Sequence, residues 1–210
     1  MTLSTLPLRR LNRVFHVGTL DPTHKGVRGA SQEGNGLSIS LHPEEWTQIA
    51  KLGGGDTFKL SRKPGLFLDF HKLSKARREQ LTQWGLTQGW CEMQPRWKLV
   101  WVDSETEEPV HMLLDTEVSA RSEQEFRQEE DESASVEPVQ VPILTATALE
   151  RLGFKVDALS TLDMLATFYV EDCTEFDGVW WNDMLDPYAL SAPRGVIVRS
   201  RLPQWTIERA

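Results

Sequence analysis

The residues of this chain equipped to do chemistry fall in three short patches, far apart in sequence. His16-Val17-Gly18-Thr19 sets an imidazole two places before a glycine, Gly36-Leu37-Ser38-Ile39-Ser40 carries two hydroxyls two residues apart, and Phe176-Asp177-Gly178-Val179-Trp180-Trp181-Asn182-Asp183 places carboxylates around an apolar run. Such groups supply donors that hold a leaving group or a sugar, and a carboxylate that stabilises a developing cation or deprotonates an acceptor. The familiar catalytic templates lack their residues. There is no GxGxxG, GxxxxGK[ST], HExxH or GxSxG, and neither Cys91 nor Cys173 has a neighbouring His to activate it. Nucleotide kinases, Rossmann dehydrogenases, zincins and elbow hydrolases lose their main support. Two distant cysteines without a CxxC argue against zinc, give no disulfide framework and suit a reducing compartment.

Strands and helices must carry these patches. Residues 13–20 are rich in β-formers and end at Asp21-Pro22, so a first strand is expected there, followed by an irregular loop over 21–35. Residues 36–41 alternate apolar and hydroxyl side chains, the pattern of a half-buried strand on which Ser38 and Ser40 share a face. His42-Pro43 opens a short helix through Trp46 to the glycine stop at 53–55. Short strands are expected at 57–60 and 66–70, and a helix capped by Ser74 runs through Trp84 to Gly85 or Gly89. Residues 97–103 and 109–114 read as a hairpin. The acidic run over 117–137 has almost nothing apolar to bury and is expected as a flexible insertion, a solvated helix end and linker. Beyond it come a strand at 139–144, helices near 145–152 and 162–170, and strands at 178–181 and 195–199.

The 210 residues, 40% hydrophobic and 26% charged, suit one α+β domain over 1–210. No stretch approaches the ~18 consecutive apolar residues of a membrane span, and no secretion signal is recognisable, so a cytoplasmic protein is expected. A net charge of −8 opposes non-specific grip on nucleic acid.

An H-x-G-T strand end at His16–Thr19, a strand bearing Ser38 and Ser40, and the late Phe176-Asp177-Gly178 strand leading to Asp183 together resemble the ADP-ribosyltransferase superfamily. The similarity is to its small divergent members in toxins, mobile elements and phages, and covers about the first fifth and last sixth of the chain. It implies an α+β fold with a split β-sheet core and peripheral helices, NAD as cofactor and substrate, and transfer of ADP-ribose to a macromolecule in the bacterial cytoplasm, a protein ahead of a nucleic acid. In that family the His binds the adenosine-side ribose and the backbone two residues on, here Gly18, meets the nicotinamide amide, with Thr19 a further NAD-binding candidate. Ser38 or Ser40 braces the second ribose or the acid, and Asp183 is the catalytic acid where better-known members have Glu. Asp177, Glu175 and Asp186 compete for that role. The Tyr that sandwiches nicotinamide in the family is absent from the second strand. Trp46, Trp180, Trp181, Tyr169 and Tyr188 are the aromatic candidates, and His24, Lys25 and Arg28 could clamp the pyrophosphate.

Each patch also has a packing explanation: a hydrogen-bonded structural His, a solvent-facing serine pair, and a tight turn that requires Asp and Gly. A second function class follows from the charge, a non-catalytic inhibitor that blocks a partner by surface contact, with Glu129–Glu132 as its docking strip.

Overall fold

The computed structural model describes residues 6–20, 36–45, 56–103, 107–130, 132–153, 160–183 and 192–210. It is a mixed α+β protein built on three sheets. The first is five-stranded in the order β1 (Leu8–Arg10), β5 (Leu66–Asp69), β9 (Gly178–Trp181), β10 (Arg194–Val198) and β3 (Gly36–Ile39). All its pairs are antiparallel except β5 with β9, where Phe67 lies opposite Gly178. The second is β11 (Thr206–Arg209), β4 (Thr57–Ser61) and β2 (Arg13–Val17). A reciprocal pair of 2.8 Å backbone hydrogen bonds between Phe15 and Ser40 ties β2 to the end of β3.

The first sheet lies between two apolar layers. On one face Leu37, Ile39, Phe67, Trp180 and Ile197 meet Val14, Leu60 and Trp205. On the other, Leu68, Val179, Trp181, Val196 and Val198 pack against α4 (Thr161–Cys173), with α1 (Lys75–Gln88) and α3 (Ala146–Leu152) contributing Leu81, Ala148 and Leu152. Every residue of β9 and β10 is buried, which is why both read as continuous apolar runs and not as alternation. The helices start and stop on local signals. Ser74, Thr116 and Thr145 accept from the backbone N–H three residues on, and Gly89 and Gly153 close α1 and α3 in the left-handed region at φ +72° and +74°.

The third sheet is β7 (Pro109–Leu114), β6 (Cys91–Val102) and β8 (Ala134–Leu144). Twelve residues of β6 span about 40 Å, against about 15 Å for a strand of the first sheet. Its base, with Cys91 and Leu144, belongs to the helical core; its far half needs separate cover. That cover is α2 (Glu117–Glu129), whose Ala120 is fully buried. Over 117–137, where the sequence predicts an insertion with a solvated helix end and a flexible linker, the described residues form α2 and the start of β8. Thr116 caps the helix, Glu117 sits at its positive end, and Arg127 binds Glu123 at 3.0 Å and lies 4.5 Å above the Trp101 ring. Capping and cation contacts fix a helix that hydrophobicity alone does not announce. Among the described residues no helix is long and apolar enough to cross a membrane.

Candidate functional site

The strand registers bring several chemical groups to one edge of the first sheet. β5 and β9 run parallel and end there, β3 also ends there, and β10 begins there with Arg194 opposite Trp181. Just beyond β5 a single turn over Phe70–Lys72 carries His71, and just beyond β9 stand Asn182 and Asp183.

Asp183 is held on both oxygens. Its Oδ2 accepts from Arg194 Nε at 2.8 Å, and its Oδ1 lies 3.0 Å from His71 Nε2. Exposure rises across the three side chains, from 10% for Arg194 through 18% for Asp183 to 46% for His71, so the chain of contacts leads from the core to solvent. Arg194 also covers the Trp181 ring at 4.8 Å. Trp181 Nε1 donates to Asp163 Oδ1 at 3.2 Å, and burial pushes the Asp163 carboxyl above its ordinary range despite nearby Arg194. Beside this group Arg9 lies 4.9 Å over the Trp180 ring and donates to Asn182 Oδ1 at 3.0 Å.

His16 and Ser38 adjoin at the junction of the first two sheets. His16 Nδ1 is 2.8 Å from the Ser38 carbonyl oxygen and Nε2 is 2.7 Å from that of Thr19. Carbonyl oxygens only accept, so the ring serves one of them per tautomer and both only with two protons. The Ser38 hydroxyl stands 3.5 Å from the same ring, while Ser40 Oγ accepts from the His42 N–H at 2.9 Å. Gly18 has φ +128°, and a Cβ there would stand 3.5 Å from His16 Nε2. His16 and Ser38 thus form one group, on β2 and β3, and Asp183 another, just beyond β9, with β10 between β9 and β3.

The remaining candidates divide cleanly. Asp177 is buried, accepts from the Leu66 N–H at 2.7 Å and from Trp205 Nε1 at 3.1 Å, and pairs with Arg62, so it joins both sheets. Glu175 is exposed and pairs with Arg201 at 3.4 Å. Trp180 and Trp181 are buried, and Tyr169 packs edge-on against Trp84 at 5.1 Å. Trp46, Asp186, Tyr188, His24, Lys25 and Arg28 lie outside the described residues. Of the expected acidic strip, Glu132 is buried and bonded to Arg127. Among the described residues no group of three His, Cys, Asp or Glu side chains is arranged to hold a metal ion.

Sequence reasoning missed His71, Arg194 and Asp163. The available signal was polar residues directly after or before apolar strands, at Asp69–Lys72 and at Arg194-Gly195. Comparison with protein-family models, with curated proteins and with solved structures found no match in any of the three.

Proposed function

We propose that the chain is an NAD-dependent mono-ADP-ribosyltransferase acting on a macromolecule. On this reading the β1-β5-β9-β10-β3 and β11-β4-β2 sheets are the two halves of the split core, and the β7-β6-β8 sheet is a decoration. The observation that carries it is the strand neighbourhood: β9, β10 and β3 are consecutive, β3 is bridged to β2, and Asp183, Ser38 and His16 stand on or beside these strands. Asp183 supplies negative charge beside the sheet edge, where an oxocarbenium-like ribosyl group would be stabilised. His16 would hold the adenosine-side ribose of NAD, with one of its carbonyl contacts exchanged for a ribose hydroxyl, while the backbone of Gly18 would meet the nicotinamide amide and Ser38 would brace the nicotinamide ribose. Trp180, Trp181 and Tyr169 are already committed to packing, so they do not supply the nicotinamide stack.

The test is transfer of label from adenine-labelled NAD in bacterial lysate, with wild type, His16→Ala, Asp183→Ala and the isosteric Asp183→Asn. Label on a discrete macromolecule, lowered at least 100-fold in folded variants, is the expected result. Absence of NAD binding and of NAD consumption at millimolar concentration rejects the reading.

The surface-contact inhibitor has one observation in its favour. Val118 and Phe126 on α2 are 79% and 51% exposed, and Phe126 stands one turn before Glu129 and Glu130. Replacing these four residues would abolish partner inhibition under that reading and leave NAD cleavage unchanged under the transferase reading.

A further inference from the structure

The transferase reading gives Asp183 the task of meeting the reacting groups, but its surroundings fit a different division of labour. Both carboxylate oxygens are engaged, Oδ2 by Arg194 Nε at 2.8 Å and Oδ1 by His71 Nε2 at 3.0 Å. His71 Nε2 and Asp183 Oδ1 stand at ion-pair distance, and because a carboxylate oxygen only accepts, a hydrogen bond between them requires the ring proton on Nε2. This leaves Nδ1 as the basic atom. It has no hydrogen-bond partner among the described residues, and the side chain is 46% exposed at the sheet edge. Arg194, with a side chain only 10% exposed and lying along the Trp181 ring, fixes the carboxylate from behind. A buried cation, a half-buried carboxylate and a solvent-facing imidazole in series form an arrangement that sets a tautomer and orients a base.

We infer that His71 is the general base that takes the proton of the acceptor nucleophile, and that Asp183 and Arg194 are positioning residues acting through it. The inference rests on the transferase reading for its substrate and on geometry for the base. In the step, the bond between ribosyl C1′ and the nicotinamide nitrogen breaks, and its electron pair leaves on neutral nicotinamide. The acceptor heteroatom bonds to C1′, and its proton goes to His71 Nδ1 and then to water. The other charged groups around the ring are Asp163 on α4, Asp69 and Lys72 in its own segment, with Lys72 Nζ 3.0 Å from Asp69 Oδ2, and Arg78 on α1, which donates to the Phe70 carbonyl oxygen at 3.4 Å. None of these described groups bonds to Nδ1.

The first measurement uses no NAD: long-range ¹H–¹⁵N correlation of the histidine rings in the full chain, for wild type, Asp183→Asn and Arg194→Lys. The expected result is a His71 ring fixed as the Nε2–H tautomer in wild type and mixed in Asp183→Asn, with the backbone amide spectrum otherwise retained. A mixed tautomer in wild type overturns the inference whatever NAD does. The second measurement is label transfer by His71→Ala, expected to fall about 10²–10⁴-fold at unchanged NAD affinity and to be partly rescued by added imidazole. Loss without rescue, or no loss, overturns the base role. If wild type turns over no NAD while the tautomer is fixed, the transferase reading and with it the catalytic step fail, whereas the oriented His71–Asp183 pair stands.

Discussion

At the level of single residues, the edge of the first sheet places charge next to apolar packing, and Asp163 shows the consequence most directly. Burial is the largest influence on its carboxyl and raises its pKa above the ordinary value of 3.8, outweighing Arg194 and the Trp181 hydrogen bond. An acid whose folded pKa lies above its unfolded one favours the folded state only while protonated. That contribution is fully present below the unfolded value and is lost as pH rises through the folded one. At pH 7 the ionised group is thus a net cost. Asp163→Asn keeps an oxygen to accept from Trp181 Nε1 and removes the charge. It is expected to melt at a higher temperature than wild type at pH 7, with the difference shrinking as pH falls toward 3.8, and calorimetry across that range checks it. A difference that grows on acidification would mean that the Arg194 attraction dominates.

At the level of elements, the corner formed by Phe176-Asp177-Gly178 has a complete packing explanation. Asp177 ties the Leu66 backbone, Trp205 and Arg62 together, and Gly178 lies so close to β10 that a Cβ would fall 1.7 Å from the Val196 carbonyl oxygen. The obstacle is backbone in a buried strand, so it cannot swing aside. Gly178→Ala is expected to destabilise by about 3 kcal/mol in denaturant titration. Gly89→Ala, at φ +72° with nothing within 4 Å of the added Cβ, is expected to cost only about 1–2 kcal/mol. Equal costs would contradict the steric account. The same corner shows what could be read in advance. β7 and β9 match the apolar runs at 109–114 and 178–181, α1 matches its Ser74 cap and glycine stop, and α3 matches the helix expected near 145–152, because those signals are local. β1 and β11 went unseen because Leu8–Arg10 and Thr206–Arg209 are short, charged and mostly exposed. The parallel pairing of β5 with β9 joins residues more than a hundred apart, and no local pattern encodes it. That pairing is what puts His71 beside Asp183, so the missing half of the candidate site was hidden for the same reason.

At the level of the whole molecule, the long β6–β8 ribbon raises the question of how far its tip depends on the rest. Leu99, Trp101 and Ala120 are buried, yet they belong to neither of the two apolar clusters that flank the first sheet. They lie on the far half of β6 and on α2, whose Arg127 covers the Trp101 ring at 4.5 Å, while Cys91 and Leu144 anchor the near half in the helical core. Burial there raises the Cys91 thiol to about 11, consistent with an unreactive, well-packed base. Buried residues at the tip that stand outside the helical core imply opening in two steps. Leu99→Ala, which deletes buried methyls at the tip, is expected to cost about 2–5 kcal/mol locally. In hydrogen exchange it is expected to speed the amides of α2, β7 and the Leu99 end of β6, with β9 and β10 retaining wild-type protection. A parallel loss of protection in β9 and β10 would instead show that tip and sheet unfold as one unit, and that any change at α2 reaches the His71–Asp183 edge through global stability alone.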